Sequence, residues 1–249
     1  MEMRRTLIFL LAVFTLVSCK KAEDRACLKF NGDEIIREIP ISQGVDSLFL
    51  NDDLFYTLVP STESKVVLRG GENMLNHIDI VSGNGKLTVS NHNKCRFLRS
   101  YKHKIFAEIH VDGITFIEFF GSRELKSEGK LLSNELRIHV RDGAGELDLE
   151  IENGYTSVVY GSGYGNFFLR GEVLHCYIHC NSNTYGDTRN LLVKESLKVV
   201  SNTAGNVWVN ADSTHFSADI LYKGNVGYVG TPITTDVTIQ GKGKLINLN

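Results

Sequence analysis

A short motif recurs along most of this chain: a glycine, then a small polar or charged residue, then alternating apolar residues. Its copies begin at Gly85, Gly145, Gly165, Gly186, Gly205, Gly224 and Gly243. From Gly145 onward, successive glycines are 19 to 21 residues apart. A motif that returns at such a constant interval is typical of a solenoid, in which each repeat forms one coil and stacked coils share a core.

The residues after each glycine predict a β-strand. Side chains alternate across a strand, so the second and fourth residues after the glycine share one face. They are mostly apolar, as in Leu147 and Leu149, and we expect them to point inward. In the degenerate copy at Gly186 this alignment places Thr188 and Asn190 inward. A second apolar column predicts another strand in each coil, and it contains Val159, Cys180, Val199, Ala218 and Val237.

These columns predict an all-β chain folded as a parallel β-helix with coils of about 20 residues. A sandwich or barrel of hairpins is the alternative, but hairpins would reverse the pattern on every other strand. The first hundred residues repeat less clearly. Four of their runs are strand-like, namely 48–50, 65–68, 78–81 and 104–111.

Several segments together resemble a known family, the auto-transporter adhesin head domain, or GIN domain, found in many Bacteroidota lipoproteins. The residues that carry the resemblance are 82–89, 141–149, 160–166, 222–232 and 240–245. The resemblance spans about residues 40–249. It implies a single-stranded right-handed parallel β-helix, and the family name suggests adhesion. It supplies no catalytic or ligand residues, and the chain departs from the pattern at 181–191 and 91–104.

The N-terminal segment predicts a signal sequence for export. Arg4 and Arg5 precede an apolar run, 7–17, that is too short to span a bilayer. The following Leu16-Val17-Ser18-Cys19 resembles a bacterial lipobox. We therefore expect a lipoprotein signal peptide at 1–18, lipidated Cys19, a tether at 19–30 and a β-helical domain at 31–249 with its clearest repeats at 130–249. The charged stretch 20–24 is either a surface-export signal or simply part of a solvated tether.

Charge and cysteine content limit the partners. Removing residues 1–18 leaves 25 basic and 28 acidic residues, too neutral a balance to predict nucleic-acid binding. Four cysteines remain besides the lipidated one: Cys27, Cys95, Cys176 and Cys180. An exported compartment permits disulfides, but their pairing cannot be deduced from sequence. A bridge between Cys176 and Cys180 is disfavoured because residues four apart on a strand lie about 13 Å from each other.

An outward-facing aromatic row is the first candidate binding site. The third residue after the glycine is Phe168, Arg189 and Trp208 in consecutive coils, which predicts a guanidinium between two rings. Tyr164 and Tyr185, just before their glycines, extend this candidate wall. Exposed aromatic rings in a row suit a glycan or a protein partner. The alternative is self-stacking that only stabilises the wall, with Arg189 held by cation–π contacts.

A basic cluster is the second candidate. Its members are Lys94, Arg96, Arg99, Lys102 and Lys104, with aromatic residues interleaved. Such a cluster suits phosphorylated lipopolysaccharide or an acidic glycan. The alternative is a solvated loop, or an edge strand that uses lysine against aggregation.

The sequence predicts no catalytic residue, metal site or cofactor. In His175-Cys176-Tyr177-Ile178-His179-Cys180, alternation puts the histidines and cysteines on opposite faces, so one metal would meet at most one pair. The outward carboxylates Asp148, Glu150 and Glu152 share a strand without a matching acidic group in the next coil, apart from Glu172. Polysaccharide lyases and hydrolases need clustered carboxylates.

The sequence therefore favours a lipid-anchored outer-membrane protein, at the cell surface rather than the periplasmic face, that binds a glycan or surface protein without catalysis. The second interpretation is a periplasmic envelope scaffold or stress sensor. A polysaccharide lyase or hydrolase is the third.

Overall fold

The computed structural model describes residues 30–93 and 104–249 and is almost entirely β-strand. The elements are β1 (Glu34–Pro40), β2 (Ser47–Leu50), β3 (Phe55–Pro60), β4 (Lys65–Gly71), α1 (Glu72–Leu75), β5 (Ile78–Gly83), β6 (Lys86–Asn91), β7 (Phe106–Val111), β8 (Phe116–Phe119), β9 (Glu124–Val140), β10 (Glu146–Tyr160), β11 (Tyr164–Thr203), β12 (Val207–Asn210), β13 (His215–Ile220), β14 (Val226–Val229), β15 (Thr234–Ile239) and β16 (Leu245–Asn247). All four strand-like runs expected in the first hundred residues overlap strands.

The strands stack as a parallel β-solenoid, which confirms the predicted fold class. Leu147 of β10 pairs with Phe167 of β11, 20 residues later, and Val207 of β12 pairs with Val226 of β14, 19 residues later. The stack has about seven turns. Each coil adds one strand spacing, about 4.8 Å, along the axis.

Two broad faces run along the solenoid. The A face is the outer surface of β1, β4, β7, β3, β12, β14, β16 and the segments 124–128, 146–150, 166–170 and 185–189 of the long strands. The B face is the outer surface of β5, β6, β2, β8, β13, β15 and the segments 137–140, 155–160, 175–180 and 196–201. Between the faces lies an apolar core.

Aromatic and aliphatic side chains fill that core. Phe167 is fully buried, and the Tyr160 ring stacks on it with centroids 5.4 Å apart. Cys176 and Cys180 are buried free thiols, as expected of core residues. Burial raises the pKa of Cys176 to about 12 and raises that of Cys180 as well, so neither is a reactive thiolate. Cys27 and Cys95 lie outside the described residues.

The second predicted column is out of register at its start. Cys180 pairs with Tyr160, whereas Val159 pairs with His179 and is partly exposed. Val159 therefore faces outward, because Tyr160 takes the inward position beside Cys180. The later members keep their column, since Val199, Ala218 and Val237 pair in sequence.

The degenerate repeat is also aligned differently from the prediction. In neighbouring coils a repeat glycine lies against the carbonyl oxygen of the previous one, as Gly165 does on Gly145. Gly205 lies in the same way on the carbonyl of Thr184, not of Gly186. Thr184 thus occupies the glycine position of this coil, and the residues after it shift by two. Gly186 and Thr188 point inward, and Asn190 is exposed.

The N-terminal region departs from a uniform parallel stack. β2 lies between β6 and β8, and β3 lies between β7 and β9, all in parallel pairs. The first coil in the chain therefore sits between two later ones. Antiparallel strands finish this end: β4 pairs with β7, β1 pairs with β4, and β5 pairs with β6.

Candidate binding surface

One outward row crosses the coils of the A face and contains the predicted aromatic wall. Asp148 pairs with Phe168, Asp187 with Trp208, and Trp208 with Gly227. The Phe167 ring fills the space that a side chain at Gly186 would need, so Phe167 and Gly186 are inward neighbours on adjacent coils. The residues that follow them, Phe168 and Asp187, are therefore neighbours on the outward side. The order along the row is therefore Asp148, Phe168, Asp187, Trp208, Gly227.

The predicted sandwich of Arg189 between Phe168 and Trp208 is wrong. Asp187 holds that position because the repeat is aligned on Thr184. Arg189 lies two residues further along the strand and binds Asp187 through two hydrogen bonds, Nε to Oδ1 at 2.9 Å and NH2 to Oδ2 at 2.5 Å. This two-pronged geometry matches the planar guanidinium to the planar carboxylate.

The ion pair keeps both of its members charged. Burial acts to raise the pKa of Asp187, but the hydrogen bonds and charge of Arg189 outweigh it, so the net pKa is below the usual value. The hydrogen bond with Asp187 raises the pKa of Arg189. At neutral pH the surface beside Trp208 thus offers a fixed acceptor and a fixed donor.

The Trp208 indole packs over Gly227 of the neighbouring strand. A Cβ at position 227 would fall inside van der Waals contact with the indole atoms Cε3 and Cζ3. Gly227 faces outward in the register but is buried, because the indole covers it. Trp208 itself stays partly exposed. The indole therefore covers Gly227 on one side and stays accessible to solvent over part of its remaining surface.

The solvent-facing side of this indole has no partner in the part of the chain that the structure describes. No ring and no cationic group stacks on Trp208 there, and its Nε1–H makes no hydrogen bond. We call the indole on Gly227 the Trp208 platform. Its geometry differs from the expected self-stacked ladder.

The remaining aromatic candidates lie on the adjacent coils. The rings of Phe168 and Tyr185 are in tilted contact, with centroids 6.3 Å apart, and both are partly exposed. Tyr164 is 65% exposed at the edge of the glycine turn. The structure thus brings Phe168 and Tyr185 together, two coils and one coil from Trp208 respectively, and leaves Tyr164 as a peripheral member.

Sequence reasoning missed Asp187 and Gly227. A glycine at the outward third position of its motif, in Gly224-Asn-Val-Gly227, was the available signal for Gly227. Such a glycine often marks a close approach by another group. No comparable signal identified Asp187, because its coil lacks the repeat glycine that sets the alignment.

The basic cluster can be located only at Lys104, since Lys94, Arg96, Arg99 and Lys102 lie outside the described residues. The Lys104 ammonium lies 4.8 Å from the centroid of Phe55, and the Phe55 and Phe106 rings are 5.3 Å apart. Phe55 and Phe106 line an A-face groove of about 370 Å³. Arg69 stacks on Phe106 at 4.6 Å, so the cations cover the ring faces here.

The outward carboxylates of β10 are engaged in ion pairs. Arg170 contacts both Asp148 and Glu150, and the Lys130 ammonium lies 2.8 Å from Glu152. The Lys130 hydrogen bond lowers the pKa of Glu152, whereas a general acid needs a raised one. Among residues 30–93 and 104–249, no three His, Cys, Asp or Glu side chains are grouped to hold a metal ion.

The fold and this face define a class: a parallel β-solenoid that presents a broad outer sheet with an aromatic row. Within that class the chain belongs to the family described as "Putative auto-transporter adhesin, head GIN domain", whose model matches residues 46–232. This confirms the resemblance drawn from the repeated motifs. A search of curated protein sequences finds no match to the chain.

Solved structures share the fold at low sequence identity. A "putative adhesin" from Bacteroides fragilis has a TM-score of 0.73 at 20% identity, covering 87% of this chain and 97% of its own. One from Parabacteroides merdae has a TM-score of 0.63 at 16% identity, covering 88% and 98%. A "putative lipid binding protein" from Parabacteroides distasonis has a TM-score of 0.56 at 17% identity, covering 88% and 98%.

The described residues include no helix long and apolar enough to cross a bilayer.

Proposed function

We propose that this protein is a cell-envelope lipoprotein whose solenoid is a non-catalytic, adhesin-like binding module. The A face carries the binding surface, and its ligand is a glycan or a surface protein. The observation that supports this most strongly is the Trp208 platform, an indole that packs over Gly227 and has no stacking or hydrogen-bond partner among the described residues. Exposed rings of this kind are favoured at recognition sites.

The state of the carboxylates supports a non-catalytic module. A glycosidase-type reaction needs one carboxyl with a raised pKa facing a second one across the bond to be cut. Asp148 and Glu150 share the Arg170 guanidinium, and Lys130 lowers the pKa of Glu152. The family and the structures that resemble the chain are described as adhesins or as lipid binding, not as enzymes.

We propose that the protein is located at the outer membrane, where acyl chains on Cys19 anchor it. The basis is the sequence alone: Arg4 and Arg5, the apolar run 7–17 and the lipobox-like tetrapeptide that ends at Cys19. More than one acyl chain is needed for stable anchoring, which a lipidated N-terminal cysteine supplies. The cell-surface side is proposed because an adhesin must reach its partner.

Protease shaving of intact cells tests the location. The mature chain is followed by antibody, beside a periplasmic control protein. We expect the chain to be digested while the control survives. Protection of the chain until the outer membrane is broken would contradict the surface adhesin and favour a periplasmic scaffold or stress sensor.

Palmitate labelling tests the anchor. We expect the wild-type chain to carry the label and to sediment with membranes, and Cys19→Ser to lose both properties. A Cys27→Ser variant is the matched control and should keep them. Labelling that persists in Cys19→Ser would contradict the lipobox.

A further inference from the structure

We infer that the Trp208 platform, together with Asp187 and Arg189, is a binding subsite for an uncharged pyranose ring of a glycan. This inference rests on the proposed function and specifies its ligand. The proposed function covers any glycan or protein partner on the A face. The inference commits to a neutral sugar unit and to three side chains.

The first step is the shape of the apolar contact. A pyranose ring has C–H bonds on one face and hydroxyl groups around its rim. Its C–H face needs a flat apolar surface of similar size, and an indole is the largest such side chain. Gly227 has no side chain in the space that the Trp208 indole occupies, so the indole can extend over the neighbouring strand and offer an apolar surface there.

The second step is the polar rim around that face. Asp187 pairs with Trp208 in the register, and Arg189 donates two hydrogen bonds to the Asp187 carboxylate. A carboxylate accepts hydrogen bonds from sugar hydroxyls, and a guanidinium donates to their oxygens. The indole Nε1–H, unpartnered among the described residues, adds a donor. Donors and acceptors thus lie beside one ring-sized apolar surface.

The third step is charge, which favours an uncharged sugar. Asp187 and Arg189 neutralise each other, so the platform has no unpaired cation for a carboxylate or sulfate. Farther along the A face, Asp148 and Glu150 of β10 occupy the Arg170 guanidinium, so that cation is not free for an acidic glycan either.

The fourth step is size, which disfavours a protein partner on this patch. A stable protein interface buries about 800 Å² on each side around an apolar centre. Here the platform is bordered by polar side chains, including Asn206 and Asn225 on two successive coils. Tyr185, one coil away, and Phe168, two coils away, offer the next aromatic contact. This spacing suits a glycan that runs along the solenoid axis.

The experiment uses the mature, unlipidated chain and an array of neutral oligosaccharides of glucose, mannose, galactose and N-acetylglucosamine. Uronic-acid and sulfated oligosaccharides are printed beside them. Trp208 is the only tryptophan, so its fluorescence reports on the platform directly. A titration with the best neutral oligosaccharide should shift or quench that emission.

Three variants change the platform in different ways. Trp208→Ala removes it, Gly227→Ala displaces the indole without removing it, and Asp187→Asn keeps the shape but breaks the charged rim. Each should weaken array binding by about tenfold or more, as expected for losing stacking or a charged hydrogen bond. Phe49→Ala is the matched control, because Phe49 is a partly exposed aromatic on the B face.

The outcomes separate the inference from the proposed function. Neutral-glycan binding that Phe49→Ala keeps and Asp187→Asn and Trp208→Ala lose supports the subsite. Binding to neutral glycans that survives in both variants overturns it. Binding to acidic glycans alone, or to no printed glycan, also overturns it, whereas the proposed surface module is judged separately by protease shaving. If Gly227→Ala does not fold, the other two variants decide.

Discussion

At the residue scale, the repeat glycines act by allowing backbones to touch. Gly205 lies against the carbonyl oxygen of Thr184, and Gly224 lies against that of Gly205. A Cβ at either glycine would meet backbone rather than a flexible side chain, so neighbouring strands would have to separate. The motif is therefore a requirement of coil stacking.

We predict that Gly205→Ala destabilises the protein by about 1–3 kcal/mol, the usual range for forcing extra atoms into packed space. Gly83→Ala is the matched control, because a Cβ at Gly83 meets nothing within 4 Å. It should change the free energy of unfolding by less than about 0.5 kcal/mol. Denaturant unfolding measures both. Equal stability of the two variants would contradict the proposed role of the repeat glycine.

Asp187 should make stability depend on pH. Burial acts to raise its pKa, but the hydrogen bonds from Arg189 outweigh burial and hold the pKa below the usual aspartate value. A lowered carboxyl pKa stabilises the fold at neutral pH, and that contribution is lost as pH falls through the acid range. Asp187→Asn should therefore lose less stability than wild type between pH 7 and pH 3. If the denaturation midpoints of wild type and Asp187→Asn fall by the same amount between pH 7 and pH 3, this prediction is wrong.

The residue scale is also where sequence reasoning failed. The apolar alternation identified the inward positions of regular coils, such as Leu147 and Val207, correctly. In the coil at 181–191 the glycine position is held by Thr184, and alignment on Gly186 moved every assignment by two. A period of two cannot expose such an error, since a shift of two residues keeps the same faces.

At the element scale, the N-terminal end of the solenoid is finished by antiparallel strands. β4 covers the open side of β7, and β1 then covers β4. The inward residues of β4, Val66 and Leu68, are fully buried, whereas Ile36 on β1 is 67% exposed. The terminal coil of a repeat protein needs such a cover, because its last strands would otherwise present unpaired backbone.

We predict that Leu68→Ala lowers the free energy of unfolding by about 2–5 kcal/mol, as for other buried leucines. Ile36→Ala, an apolar truncation on the neighbouring strand, should change it by less than about 0.5 kcal/mol. Thermal and denaturant unfolding test the pair. A small effect of Leu68→Ala would show that this end of the solenoid is not part of the cooperative core.

These covering strands show that an alternating sequence pattern does not determine whether a strand pairs in parallel or antiparallel orientation. Parallel and antiparallel strands show the same alternation of apolar and polar residues, so 65–68 and 78–81 could be predicted as strands but not oriented. Their pairing depends on contacts distant in sequence. β2 pairs with a strand almost 70 residues later, which no local periodicity records.

At the scale of the whole molecule, stability should vary along the axis. The coils of β10 are paired on both sides, whereas β15 pairs only with β13 and has mostly exposed side chains. Repeat stacks open most easily where a coil has one neighbour. We predict that amides of β10 exchange most slowly with deuterium and those of β15 far faster. Uniform exchange along the chain would indicate a single all-or-none unit instead.

The interleaved position of β2 also sets a sequence of events during synthesis. A chain is made from its N-terminus, so β2 leaves the ribosome with both of its edges bare. The strand that seals one edge, β6, arrives about 40 residues later, and the strand that seals the other, β8, arrives only with residues 116–119. The earliest coil is consequently not complete until the middle of the chain has emerged from the ribosome.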